Sequence, residues 1–392
     1  MIKRFSILLF LAAGLFLTVS CIGCKANTAP SEQVPEEHFL NNFNSACVKY
    51  GDKIYLMDKP FSLFRNKVLY CIDTASGESF PLCFRPECMH DTTDCGAMIG
   101  GGGDAMHLML YNERIYWIVN ERSKYTLRSM ALDGSGLRVD TELDSELAKL
   151  AFGYGTAEIA DGVLYVCGSS VDVEGATPIH RGIVYCQPIT GGKAKEIMRT
   201  EGVFLHVFGR ISDGRLFFGI SDSQNSIDSV SEIHPLSLYS YDLKSGELEQ
   251  LYSGEAHGYY SGIATPDSDT LIIADTGDVL KYSLSDNELS VLFSPSDTLG
   301  NYAHVFVSEN NITVTNGEDS SVFDLAGNLV FEGKPKMAEL AGEGIGMSYL
   351  GGSGMDTYYY LIADSQTKFF FLRYDLENDK AEILWSGDFK FA

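Results

Sequence analysis

One pattern returns at intervals along most of the chain, and it limits the folds open to the sequence more than any other feature. It is clearest over residues 213–252, DGRLFFGISDSQNSIDSVSEIHPLSLYSYDLKSGELEQLY. Asp213-Gly214-Arg215 is a turn that launches the apolar run Leu216, Phe217 and Phe218, and a polar stretch follows. Leu238 to Leu243 and Glu247 to Tyr252 then alternate large and polar residues on either side of Lys244-Ser245-Gly246. Alternation across a short Gly-containing turn predicts two half-buried strands joined as a hairpin.

Openings of the same kind, a turn followed by aliphatic and aromatic residues, occur at 51–55, 112–116, 161–165 and 213–217, with weaker copies at 269–272, 310–313 and 356–359. Each is followed by a hairpin-like stretch: Leu69–Cys83, Leu127–Leu143, Ile183–Met198, Leu238–Tyr252, Val279–Phe293, Ser321–Gly333 and Phe369–Trp385. Units about 40 to 60 residues apart, rich in short strands, predict an all-β fold, a β-propeller of four-stranded blades. Seven blades fit the repeats best, and six or eight remain open. A pair of β-sandwiches would leave the repetition unexplained. The 39 Gly, 23 Phe and 21 Tyr agree with many strands and turns and few helices.

The second unit carries a resemblance. Arg114-Ile115-Tyr116-Trp117 followed by Ser129-Met130-Ala131-Leu132-Asp133-Gly134-Ser135 resembles the YWTD repeat of low-density-lipoprotein-receptor propellers, although Ile118 and Val119 stand where that family has Thr and Asp. The resemblance implies a fold over roughly residues 50–390 and no particular ligand.

The N-terminus bears on compartment. Lys3 and Arg4 precede an apolar run from Phe5 to Val19, too short to span a bilayer comfortably but suited to a secretory leader. Leu17-Thr18-Val19-Ser20-Cys21 resembles the lipobox of bacterial lipoproteins, which implies that Cys21 is diacylated and becomes the N-terminus; Cys24, after Gly23, offers a second register, and an ordinary secretory leader a third reading. Two acyl chains suffice for stable anchoring. The expected organisation is a leader over 1–20, the lipidated cysteine and a polar, Pro-containing stalk over 21–37, and one propeller domain over 38–392. The expected location is the extracytoplasmic face of the cell membrane, with the anchor in the bilayer. With its repeats and lipobox together, the chain is similar to propeller-bearing lipoproteins of clostridia-like bacteria. The segment His38 to Val48, containing Phe39 and Phe43, is a candidate for the outer strand of the last blade, closing the ring.

Charge narrows the partners. With 53 acidic against 29 basic residues the formal charge is −24, which disfavours nucleic acid. Cations, basic protein surfaces and simple solubility all remain compatible with it.

One loop holds possible chemistry. PLCFRPECMHDTTDCGA places Cys83, Cys88, His90 and Cys95 between the first two blades. Three thiols and an imidazole are a donor set for tetrahedral zinc or iron. A disulfide within the loop stands beside that reading at even weight, with Cys47 or Cys71 available for the odd thiol. The loop also resembles a Cys-Pro-Cys-His-Cys segment of the lipoprotein group. Cys167 and Cys186 fall on neighbouring strands of the third unit, paired or simply buried. Asp267, Asp269, Asp275 and Asp278 lack the order of a calcium loop and read first as turn carboxylates. His206, His234, His257 and His304 read first as space-filling or hydrogen-bonded residues, with a ring about the propeller axis as the alternative.

Long connections at 84–106, 171–181, 221–236 and 341–356 are candidate binding loops. The last, rich in Gly around Met347, Ser348 and Tyr349, makes Met347 and Tyr349 candidate binding residues on a flexible lip. No nucleophile elbow, zinc-protease motif or phosphate loop is present. The expected function is therefore a binding or scaffolding module for a protein or glycan partner. The alternatives are a glycan hydrolase or lyase using carboxylates at the propeller mouth, and a metal or redox sensor built on the cysteine loop.

Overall fold

The computed structural model describes residues 47–57, 67–90, 94–99, 104–121, 124–147, 150, 155–174, 177–222, 233–295, 304–307, 311–315, 320–333, 346–353, 356–362 and 368–388. The leader, Cys21 and the stalk lie outside them.

Regular structure in the named elements is entirely strand. The first unit is β1 (Cys47–Tyr50), β2 (Lys53–Met57), β3 (Leu69–Asp73) and β4 (Ser79–Pro81); the second is β5 (Asp104–Tyr111), β6 (Arg114–Glu121), β7 (Lys124–Ala131) and β8 (Arg138–Glu142). The third comprises β9 (Thr156–Ala160), β10 (Val163–Glu174), β11 (Thr177–Pro188) and β12 (Lys195–Gly202). Next come β13 (Leu205–Ser212), β14 (Arg215–Asp222), β15 (Ile233–Asp242), the long β16 (Leu248–Ala264), β17 (Thr270–Gly277), β18 (Val279–Ser283) and β19 (Glu288–Phe293). The last two units are β20 (His304–Val307), β21 (Asn311–Thr315), β22 (Ser320–Asp324) and β23 (Leu329–Gly333), then β24 (Gly346–Ser353), β25 (Asp356–Ile362), β26 (Lys368–Asp375) and β27 (Lys380–Asp388).

Every pairing is antiparallel between chain neighbours. Among the described residues six sheets form, five of four strands and one of seven, in the order β13-β14-β15-β16-β17-β18-β19. The seven-stranded sheet is two blades sharing a strand: residues 248–257 of β16 pair with β15, and residues 258–264 pair with β17. Gly258 marks the handover at φ 106°, and Gly277 opposite it is required by space, since a Cβ there would lie 2.5 Å from the His257 carbonyl oxygen. The six sheets thus hold seven four-stranded blades.

The core lies between sheets. One apolar cluster joins blades one and two through Tyr55, Leu69, Cys71, Ile115, Trp117 and Met130. Another joins blades two and three through Ile118, Leu127, Leu164 and Tyr185. Further clusters join three to four around Val184 and Phe218, four to five around Phe208 and Tyr282, and five to six around Ile272 and Val314. Blade six meets blade seven at the edge-on Phe331–Tyr374 pair, 5.6 Å between ring centroids. The ring closes where Cys47, Ile54, Leu56 and Ile72 of blade one pack on Phe371, Leu384 and Trp385 of blade seven. Burying each large side chain contributes about 1.5–3 kcal/mol, and no blade can bury both of its faces without neighbours.

Polar contacts reinforce these junctions. Tyr55 donates to the Leu132 carbonyl, the Ala194 amide to Asp144, and Tyr282 to the Leu251 carbonyl, each from one blade to the next. Arg210 and Glu158 form a largely buried ion pair at 3.4 Å between blades three and four, and Glu158 also accepts from the Ile211 amide.

All seven predicted hairpins are present, as the third and fourth strands of the blades. The predicted openings are second strands, preceded by an inner strand that the pattern did not reveal. Asn112-Glu113, Asp161-Gly162 and Asp213-Gly214 have positive φ at both positions, the geometry of the tight turn between those two strands. Closure differs from expectation. Cys47–Tyr50, which includes Val48 of the proposed closing segment, is the innermost strand of blade one, and the outer place of blade seven is filled by β27. Residues 38–46 lie outside the described residues. The expected loop at 171–181 is mostly hairpin, with Val171↔His180 and Asp172↔Ile179 in register. Residues 346–353 of the Gly-rich stretch are not a lip but β24, pairing Met347 with Leu361 and Tyr349 with Tyr359.

Candidate metal centre

The cysteine loop leaves the outer strand β4 and returns to the inner strand β5 of the next blade. Its stem is fixed by backbone hydrogen bonds from Leu82 N to Leu69 O, Leu69 N to Ala97 O and Ile99 N to Lys67 O, the first two at 2.8 Å and the third at 2.9 Å. Buried Trp117 donates from Nε1 to the Ile99 carbonyl at 3.2 Å, and buried Lys67 donates to the Ala105 carbonyl at 2.7 Å. Leu82, Cys95, Ala97 and Ile99 belong to the core, whereas Phe84 and Met89 stand in solvent at 54% and 81% exposure. The Arg85 guanidinium lies 5.8 Å from the centre of the Phe84 ring.

Between stem and tip the four predicted ligands converge. One donor atom each from Cys83, Cys88, His90 and Cys95 lies within 4.8 Å of every other, and among the described residues this is the group suited to holding a metal ion. Tetrahedral zinc with bonds of about 2.3 Å to sulfur would set its ligands about 3.8 Å apart, so small side-chain movements suffice. His90 Nδ1 is 3.2 Å from Cys95 Sγ. His90 has a left-handed backbone, φ 56°.

The backbone amides of Arg85 and Gly96 act on the Cys83 thiol and that of Ala97 on the Cys95 thiol, each favouring the deprotonated sulfur. Burial raises the Cys83 thiol, but the two amides and the thiols of Cys88 and Cys95 outweigh it and bring the group below the ordinary thiol range. Cys95 is pushed up to about 12, chiefly by burial and further by its sulfur neighbours. A divalent cation at the centre of the four would favour the deprotonated sulfurs, and amide donors are the usual outer layer of a thiolate–metal centre.

All seven cysteines of the described residues carry free thiols. Cys47 and Cys71 are buried in different interblade clusters, away from the loop set. Cys167 on β10 and Cys186 on β11 are displaced by two register positions, Cys167 facing Val184 and Cys186 facing Tyr165. Burial raises Cys167 to about 12, as suits an inert core thiol.

Three of the four candidate aspartates act as structural hydrogen-bond acceptors. Asp269 accepts from the Ser285 amide at 2.7 Å and from the hydroxyls of Ser285 and Ser283, and Asp267 accepts from the Asp269 amide. Asp278 accepts from Ser294. The four histidines fall on different places in the blades: His206 and His304 are on inner strands of different blades, His234 is on a third strand, and His257 ends the blade-four part of β16. Sequence reasoning missed the amides that act on the thiols and the stem, which depend on the partner segment 67–69 folding beside the loop.

No protein-family model matches the chain, and no curated protein matches it. Solved structures do. In a structure of two prolyl endopeptidases the match is 13% identical with TM-score 0.54, covering 88% of this chain and 50% of that one. For oligopeptidase B of Leishmania major the values are 12% and 0.51, covering 88% and 49%. A nidogen/laminin complex matches at 13% and TM-score 0.40, covering 69% and 92%, too loosely to argue from. The chain thus spans about half the length of the peptidases it resembles. At these identities the likeness shows the β-propeller fold alone.

Proposed function

We propose that the chain is a lipid-anchored, extracytoplasmic binding or scaffolding propeller whose first interblade loop is fixed by a structural zinc ion on Cys83, Cys88, His90 and Cys95. The observation that carries the metal assignment is the convergence of three sulfurs and an imidazole within 4.8 Å. Four protein ligands leave no open position for a substrate, which favours a structural over a catalytic metal. Soft thiolates favour zinc or iron over calcium or magnesium. Cys21 supplies the anchor, and the partner is a protein or glycan, with Met347 and Tyr349 as candidate contacts. The peptidases among the similar structures extend well beyond the part this chain matches, so their chemistry gives no ground for a hydrolase reading.

The test is elemental analysis with thiol titration on the ectodomain from Lys25, purified without a histidine tag. One equivalent of zinc or iron is expected, with three thiols becoming reactive when the metal is chelated. Replacing His90 with Ala should weaken retention at least about tenfold, since even outer-layer changes cost about 10–100-fold at such sites. Unchanged retention in that variant would sink the assignment.

A further inference from the structure

We propose that Cys83 and Cys88 are an oxidative modification site: a peroxide joins them in a disulfide and expels the metal, while Cys95 and His90 stay as they are. The inference rests on the metal reading above and deepens it.

Access selects the pair. Cys83 and Cys88 reach solvent in part, whereas Cys95 is 3% exposed and has His90 Nδ1 at 3.2 Å. The donor atoms of Cys83 and Cys88 lie within 4.8 Å of each other, so the two need no rearrangement of the stem to meet. They are separated by Phe84, Arg85, Pro86 and Glu87, all exposed, and this short lobe can adjust without disturbing the core. An exported protein also meets conditions in which disulfides persist.

The step balances with hydrogen peroxide as oxidant. The Cys83 thiolate attacks one peroxide oxygen, the O–O bond breaks, and the departing hydroxide leaves as water with one proton, giving the Cys83 sulfenic acid. The Cys88 sulfur then attacks Cys83 Sγ and expels a second water as the S–S bond forms. Two thiolates lose two electrons, and peroxide takes them up with two protons from solvent to give two waters. A metal stripped of two of its four ligands departs as the hydrated cation. The stem, held by Leu69, Ala97 and Ile99, is untouched, so the event changes the exposed lobe carrying Phe84 and Met89 and leaves the blades folded.

The experiment uses the ectodomain loaded with one equivalent of zinc after reduction, with metal content measured first. Peroxide is then added in small excess, released zinc is followed with a colorimetric chelator, and disulfides are mapped by peptide mass spectrometry. Release of one zinc per Cys83–Cys88 disulfide, reversed by dithiothreitol and fresh zinc, is the expected result. Cys88→Ser should stop the Cys83–Cys88 bond from forming, and mapping of the unsubstituted protein decides the matter even if that variant fails to fold. Zinc retained with all three thiols intact, or a disulfide that includes Cys95, overturns the proposal. Failure to load zinc at the outset overturns the metal reading instead, and takes the release half of this proposal with it.

Discussion

Gly134 occupies a left-handed backbone, φ +82°, and a Cβ there would lie 3.0 Å from the carbonyl carbon and oxygen of Leu82, the residue before Cys83. Gly134→Ala should therefore cost on the order of 1–3 kcal/mol through backbone strain and displacement of the loop stem. Denaturant unfolding would measure the cost, and a parallel loss of zinc retention would show that the turn of blade two and the cysteine loop form one unit. Trp117 offers a second probe. It is one of only two tryptophans in the chain, it is fully buried, and its indole N–H is bonded to the loop at Ile99. With Trp385→Phe removing the other emitter, chelating the metal should shift or quench the remaining fluorescence. Emission unmoved by complete metal loss would mean that the stem does not feel the site.

Five of the seven hairpins between third and fourth strands share an acidic device. Asp73, Asp242, Asp324 and Asp375 each accept hydrogen bonds from two backbone amides two to four residues ahead, and Asp133 accepts from the Ser135 amide. For Asp73 and Asp242 backbone amides are the leading cause of a carboxyl held below the usual range; for Asp133, Asp324 and Asp375 a side-chain partner leads. A carboxyl lowered in the folded state adds stability above its unfolded value, about 3.9, and that stability is lost as pH falls through the folded value. Asp242→Asn should thus lower Tm at pH 7, with the difference shrinking toward pH 3; a constant difference across that range would point to something other than charge. These hairpins were legible because alternation and turn residues are local signals. The inner strands were not, because segments such as DAMHLMLY and LHVFGRIS are apolar at successive positions and show no period of two. Their place is set by neighbouring blades on both sides. At the site, the four candidate donors could be read from residue types in one loop, while their convergence depends on the stem formed with residues 67–69, which no local signal shows.

A ring closed by packing should fail as a whole. Blade one meets blade seven through Cys47, Ile54, Leu56, Ile72, Phe371, Leu384 and Trp385, with Tyr70 and Trp385 rings 5.0 Å apart. Truncation after residue 345 should expose this cluster and abolish the cooperative melt, as followed by circular dichroism; an unchanged transition would show that closure contributes nothing. The shared strand β16 has a different consequence. All seven joints in the ring are packed by side chains, but the one between blades four and five also runs through a single uninterrupted strand at residues 257–258, whereas the others can part while each sheet keeps its ladder. The ring is therefore a chain of five single plates and one double plate, and it has a stiff arc opposite its seam. Domain insertions or new termini should be tolerated at loops outside that arc and rejected within β16.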